Sequence, residues 1–346
     1  MKLLIKKFIG MKKWDVMLVC KTIVLLTLFV GCSHNKFKVD LKEKVVVEVV
    51  RLDSVMFEME RNSVIDSIST FYGLYPDFFD IYMRRILRIG GRESSYFVDY
   101  LQLFLDNPDI RESYDSVKRV YGDFSEKKRA IEDGFSYAKY HLPNLQVPKI
   151  YTVISGFNES MIMIDSAVGI SLDKFLGSKS YFYERLATPI YTRKRNEPFL
   201  LEAEVLRNWL YSEYPNGDPN ENLINTMIYH GKIMYIMDAS FPDMPDHLKI
   251  SFTPAEIIWA KKSEHNMWAF LIDKKLLFAI DKHIGKYVDE APFVSTFGEE
   301  SPGRVGVWIG WQIVRSFMDA NPNITISQLM EMNDHHEILV ESEYVP

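Results

Sequence analysis

The sequence predicts an α+β fold, predominantly helical, with one small sheet. Three observations predict it. Over residues 53–141 apolar side chains recur at intervals of three and four, with few β-branched runs. Residues 147–154 and 161–165 are β-branched or apolar runs on either side of the turn material Gly156-Phe157-Asn158-Glu159-Ser160, so the pair reads as a hairpin spanning 147–165. Helical periodicity then returns over residues 200–317.

The chain starts with Lys2, Lys6 and Lys7, and a second basic patch, Lys12 and Lys13, follows Met11. An apolar run over residues 23–30 ends on Gly31-Cys32 and polar Ser33-His34-Asn35. A cationic start, a short apolar core and a small residue before Cys make a secretory signal. The run has about half of the roughly 18 residues a membrane span requires. The Gly-Cys ending resembles the bacterial lipoprotein box, with Phe29 standing where that family usually carries Leu. The resemblance implies that Cys32 takes a diacylglycerol, that the chain is cut before it, and that the new amino terminus is acylated. Residues 1–32 are then a lipoprotein signal peptide, 33–44 a polar tether, and 45–346 a single domain.

Composition narrows the function classes. Net charge is −6, and the leader holds six Lys against one Asp, so the mature chain is more acidic still. That balance argues against a nucleic-acid partner and against electrostatic attachment to an anionic membrane. Both cysteines, Cys20 and Cys32, lie in the leader, so a mature chain starting at a lipidated Cys32 has no disulfide and stands on its core. With 47% hydrophobic residues, about 310 mature residues suffice for that.

The elements follow in order. Residues 45–52 are mostly β-branched and read as a strand. Phe78, Phe79, Tyr82, Ile86 and Ile89 form one helical stripe, and Tyr96, Tyr100, Leu103 and Phe104 a second. Pro76 and Pro108 each suit a helix start or a turn. Thr253-Pro254-Ala255-Glu256 combines an N-cap, Pro at the first helical position and a capping-box Glu; Ser301-Pro302 repeats the cap and the Pro. Gly306 and Gly310 lie on one face of that last helix, where a neighbour can approach closely, and Asn321-Pro322 stops it. Asn333-Asp334-His335-His336 reads as a turn leading into a short final segment.

Residues 225–237 are apolar nearly all round, the mark of a buried helix. His230 shares a face there with Met227 and Met234, and Gly231 beside it costs about 1 kcal/mol in a helix interior, which points to close packing against Gly306 and Gly310. Glu264 shares a stripe with Ala260, Trp268 and Leu271 and needs a partner such as Lys232 or Arg304. His230, Lys232, Glu264 and Arg304 are thus the candidate buried polar site. His230 reads better as a core histidine with one hydrogen-bonded partner than as a ligand, and Glu264 better as a structural acceptor than as a catalytic acid. The sequence has no His-Glu-x-x-His, no Gly-x-Ser-x-Gly, no phosphate-binding Gly loop and no mature Cys. No metal, no cofactor and no catalytic residue are expected.

Residues 165–177, then Tyr183, Pro189, Tyr191 and Arg195, then residues 230–235, Pro242, Trp259, Glu264 and Trp268, then residues 300–304 and 306–314 form an ordered set. That set, with the lipoprotein box and residues 50–57, resembles the gliding-motility lipoprotein GldB family of the Bacteroidetes. The resemblance implies an outer-membrane lipoprotein linked to gliding machinery and, by association, to type IX secretion, and it sets no biochemical activity. Surface-exported lipoproteins of that phylum resemble one another in carrying acids just after the Cys. Ser33-His34-Asn35-Lys36 has none, so a periplasm-facing protein is expected.

A remoter resemblance, to a zincin-type peptidase, covers residues 145–346. His230 takes the place of that family's expected third ligand, a Glu, and residues 197–209, where its zinc helix should stand, contain no His. The scaffold is therefore expected to be a degenerate zincin without a metal site. The leading expectation is a non-enzymatic component or stabiliser of an envelope assembly, with other envelope lipoproteins or secretion and motility components as partners. A hydrolase acting through His230 and Glu264 and a glycan- or peptidoglycan-binding protein are the alternatives.

Overall fold

A computed structural model describes residues 35–217, 222–280 and 284–346. The signal segment with Cys20 and Cys32 lies outside the described residues. Residues 40–346 form one compact unit.

The compact unit is mostly helical around one four-stranded sheet. Strand β1 (Val49–Arg51) runs straight into α1 (Leu52–Glu58). The helical block continues through α2 (Arg61–Leu74), α3 (Pro76–Ile81, prolonged by a wide turn over Tyr82–Ile86), α4 (Phe97–Asp106), α5 (Pro108–Tyr121) and α6 (Ser125–His141). Pro76 and Pro108 open α3 and α5, and Asn107 caps α5 by accepting from the Asp109 and Ile110 amides. Strands β2 (Lys149–Val153), β3 (Met161–Ile164) and β4 (Ala167–Ser171) follow. The sheet order is β1-β2-β4-β3. The helical block is therefore the crossover between the parallel neighbours β1 and β2.

The 147–165 hairpin is corrected. Both of its runs are strands, but they do not pair with each other. β3 pairs antiparallel with β4 across the Asp165-Ser166 turn, and β2 pairs in parallel with β4. Burial explains the choice. All five β4 residues are buried, whereas three of the four in β3 are only half-covered, so β4 takes the interior position and β3 the edge. Gly169 in β4 admits the Phe78 ring of α3, which stacks on Tyr151 of β2 at 4.0 Å between centroids.

The second aromatic stripe is also corrected. The helix over that region buries Phe97, Leu101 and Leu105, and leaves Tyr96, Tyr100 and Leu103 exposed. Both sets satisfy helical spacing; only packing selects between them. The stripe at Phe78, Phe79, Tyr82 and Ile86 is buried as expected.

The C-terminal half is built from α7 (Leu201–Glu213), α8 (Leu223–Ser240), α9 (Pro254–Asp273), α10 (Val305–Ala320), α11 (Ile326–Glu331) and α12 (His335–Glu341). The Thr253–Glu256 capping box forms as read. The Ser301-Pro302 start is corrected: α10 begins at Val305, after Arg304 in a left-handed conformation, and Ser301 instead bonds Val294 at both its amide and its carbonyl. Asp334 caps α12 by accepting from the His336 and Glu337 amides.

The central contact is α8 against α10. A Cβ on Gly231 would strike the Gly310 carbonyl, and one on Gly310 would strike the Met227 carbonyl. The two backbones touch there, as the glycine spacing implied. Around the crossing Trp308, Trp311, Ile233, Met234 and Phe317 are almost fully buried.

Candidate functional site

The four candidate residues do not form one site. Glu264 is half-buried and accepts from Trp308 Nε1 at 2.9 Å and from the Tyr344 hydroxyl at 2.9 Å. Its role as a structural acceptor fits, but its partners are aromatic, and neither Lys232 nor Arg304 is among them. Lys232 lies on the far side of α8, where its ammonium donates to the Met332 carbonyl. Burial pushes its pKa down to about 8. Only His230 and Arg304 come near each other.

They meet at a buried ionic cluster assembled from six segments. The face of α7 supplies Glu204, Arg207 and Tyr211, spaced three and four apart so that all three point one way. Arg195 reaches Glu204 with Nε at 3.1 Å and Nη2 at 2.5 Å, a bidentate clamp, and its Nη1 pairs with Glu290. Arg207 also donates to Glu204, and to the Lys249 carbonyl at 2.8 Å. The Ser251 hydroxyl donates to Glu204 at 2.9 Å. Burial pushes the Glu204 carboxyl up, but Arg195 and Arg207 outweigh it and hold it well below the usual range.

Arg304 enters the cluster from the start of α10. It is 9% exposed, donates Nη1 to the Ile250 carbonyl at 2.8 Å, and has Glu290 at 3.9 Å. Burial, with Arg207 and Arg195 nearby, lowers its pKa to about 10. His230 Nδ1 meets the Tyr211 hydroxyl at 2.8 Å. Burial, helped by the Arg304 charge, lowers the imidazole pKa to about 4, so it is neutral at pH 7.

That shift has a measurable consequence. The unfolded histidine binds a proton near pH 6.5 and the folded one only near 4. The neutral form favours the fold above about pH 6.5, and that advantage falls away as pH drops towards 4. His230→Ala should cost about 1–3 kcal/mol at pH 7 through the unpaired Tyr211 hydroxyl. It should also flatten stability between pH 4 and 6.5, as followed by urea melts at each pH. A variant with the unaltered pH slope would show that His230 is not the titrating group.

A second network ties α8 to α10. Asp238 accepts from Lys249 Nζ at 2.8 Å, Trp311 Nε1 at 2.8 Å and Arg315 Nη2 at 2.7 Å, and Arg315 reaches on to Asp246 at 2.8 Å. All these contacts are internal and serve the helix crossing.

Beside the first cluster lies a cavity of about 890 Å³ whose lining includes Lys179, Ile190, Tyr191, Arg193, Lys194 and Pro292. Tyr191 and Lys194 also line a narrow recess that holds Glu290 and Arg304. The cavity thus adjoins the ionic cluster.

Sequence reading missed Glu204, Arg207 and Asp238. Residues 197–209, which contain no histidine, carry the acid and the arginine that organise the cluster. Among the described residues no group of three or more His, Cys, Asp or Glu is placed to hold a metal.

A family model described as gliding motility protein GldB matches residues 34–346. No curated protein and no solved structure matches. The zincin resemblance gains no support from these comparisons.

Proposed function

The chain belongs to the gliding motility protein GldB family, and from that premise we propose that it is a lipid-anchored outer-membrane protein, facing the periplasm. Its role there is to bind and stabilise partners of an envelope assembly for gliding motility or the linked secretion apparatus, without catalysing a reaction. The observation that carries this reading is where the family match begins. It starts at residue 34, two residues past Cys32, so the matched region takes in all but the first two residues of the chain that cleavage before Cys32 would leave. Among the described residues no helix is long and apolar enough to cross a membrane. The proposed attachment is the acylated Cys32, whose several chains would hold firmly where one is marginal.

The buried ionic networks support a scaffold role. They fix helix positions and leave His230 and Glu264, the pair a hydrolase would need to share, on separate partners. The glycan-binding alternative would put aromatics in a cleft. Trp209, Trp308 and Trp311 are instead fully buried, and Tyr191 is the aromatic lining the large cavity.

Protease added to intact cells should leave the protein uncut, and the same protease after outer-membrane permeabilisation should digest it. Digestion in intact cells would contradict the periplasmic placement. Affinity purification from the organism's own envelope should recover the same partner proteins with the wild type and with His230→Ala. Stoichiometric zinc with chelator-sensitive peptidase activity in the purified protein would instead favour the hydrolase.

A further inference from the structure

We propose that residues 84–103 form a docking face that lies on the anionic phospholipid surface to which the Cys32 anchor holds the chain; the proposal rests on that anchor. Its first support is an apolar stripe with no partner. Tyr96, Tyr100 and Leu103 follow one another at intervals of four and three, on one face of α4. They are 63%, 49% and 66% exposed, while Phe97, Leu101 and Leu105 fill the core side. The Tyr96 and Tyr100 rings stand 6.3 Å apart, so the stripe is contiguous. Single exposed apolar residues are ordinary, whereas a contiguous patch marks a surface that something covers. Tyrosine suits a membrane interface, because its ring is apolar and its hydroxyl stays wet.

The second support is charge complementarity. Residues 84–92 hold Arg84, Arg85, Arg88 and Arg92 and no acid, in a chain of net charge −6. Arg84 is answered by Asp80 at 2.7 Å and by Glu93 at 2.6 Å. Arg85, Arg88 and Arg92 are exposed and, among the described residues, pair with no carboxylate. These cations adjoin the stripe. The Arg84–Glu93 pair closes the loop over 84–93, and Arg92 lies 5.3 Å from the Tyr72 ring, which stands 6.2 Å from the ring of Phe97 at the start of α4. Asp99, also exposed, is the acid of this segment that no cation answers, so the free charge is positive. Net charge does not decide the matter at this range. Charges more than about 8 Å apart are screened at physiological salt, and a patch meets headgroups on its own account.

The third support selects lipid over a protein as the occupant. The mature chain would start at an acylated Cys32, and the tether 33–44 spans at most roughly 40 Å when extended. A domain of about 300 residues has a radius of gyration of about 19 Å. Such a tether lets any face of the domain reach the bilayer, so surface chemistry picks the face that stays there. Headgroup phosphates accept paired hydrogen bonds from guanidinium groups, and arginine stems bury beside the aromatic rings at the acyl boundary. The bilayer is within reach at all times, whereas a protein must be captured. Because the acyl chains already hold the protein, the patch sets its orientation rather than its attachment.

The test uses the mature lipidated protein reconstituted in phosphatidylcholine vesicles, with and without phosphatidylglycerol. Cys20 leaves with the signal and the Cys32 sulfur carries lipid, so Leu103→Cys supplies the sole free thiol for an environment-sensitive fluorophore. Ile258→Cys on α9, 54% exposed, is the control. With phosphatidylglycerol present, the label at 103 should shift to the blue and lose most of its emission to a nitroxide on the lipid headgroup, and the label at 258 should do neither. Phosphatidylcholine alone, high salt, or the triple variant Arg85→Gln, Arg88→Gln and Arg92→Gln should each bring the signal at 103 down towards the control, with the melting temperature of the triple variant unchanged. Three results would each overturn the inference: equal quenching at 103 and 258, quenching that depends on neither phosphatidylglycerol nor the arginines, and a blue shift without quenching, which marks contact with a second copy or another protein. Vesicle flotation separates this inference from the anchor. Protein that floats but is not quenched at 103 loses the docking face alone, and protein that does not float loses the anchor and the docking face with it.

Discussion

Gly310→Ala should destabilise the compact unit by about 3 kcal/mol or more, at the upper end of what overpacking costs. The reason is the kind of atom in the way. An added methyl would meet the Met227 carbonyl, which is helix backbone and cannot rotate aside as a side chain can. Helices α8 and α10 would have to separate, and their separation would loosen Trp308, Trp311 and the Asp238 network together. Gly231→Ala should act in the same way from the opposite helix, against the Gly310 carbonyl. Gly73→Ala in α2 is the control. Nothing lies within 4 Å of its added methyl, so it should be neutral or gain up to about 1 kcal/mol from helix propensity. Urea denaturation of the three variants checks this. A Gly310→Ala protein as stable as Gly73→Ala would mean that the helices are not in backbone contact.

Glu204→Gln should cost about 3–5 kcal/mol at neutral pH, the range for breaking one partner out of a buried ion pair. The amide keeps the shape of the side chain but removes the charge that Arg195 and Arg207 converge on. The acid dependence separates this from a packing effect. Arg195 and Arg207 hold the folded carboxyl well below its usual range, against the opposing push of burial. Its contribution is therefore complete above the unfolded value of about 4.3 and is lost as pH falls towards the folded one. The gap between wild type and Glu204→Gln should be wide at pH 7 and should narrow at pH 3, measured by urea melts. A gap of equal width at both would locate the loss in packing rather than charge.

The sequence carried the helices with strong local signals and lost the features that only packing decides. The capping box at Thr253, the Pro starts at Pro76 and Pro108, and the Asn321-Pro322 stop are each written within four residues, and each is where the spacing placed it. The glycine seam was legible for the same reason, since Gly231 and Gly310 each cost helix stability and need a neighbour to justify them. Strand pairing was not legible. A run of Ala-Val-Gly-Ile-Ser has weak strand character, and its place between β2 and β3 follows from complete burial on both faces. The ionic cluster was hidden for a different reason. Glu204 and Arg207 at i, i+3 look like any solvated helix pair, and only the approach of Arg195, Ser251 and Arg304 from distant segments makes them a buried site. His230 and Glu264 are each held by hydrogen bonds to aromatic side chains. Their partners, Tyr211, Trp308 and Tyr344, lie 19, 44 and 80 residues away and have no local signature.

The central proposal is attachment of this family member to the envelope through Cys32. Metabolic labelling with radioactive palmitate, followed by immunoprecipitation, tests it most directly. The wild-type protein should carry label and sediment with the outer membrane, while Cys32→Ser should carry none and run as the uncleaved precursor or leave the membrane fraction. Label of equal strength on the Cys32→Ser protein would contradict the anchor.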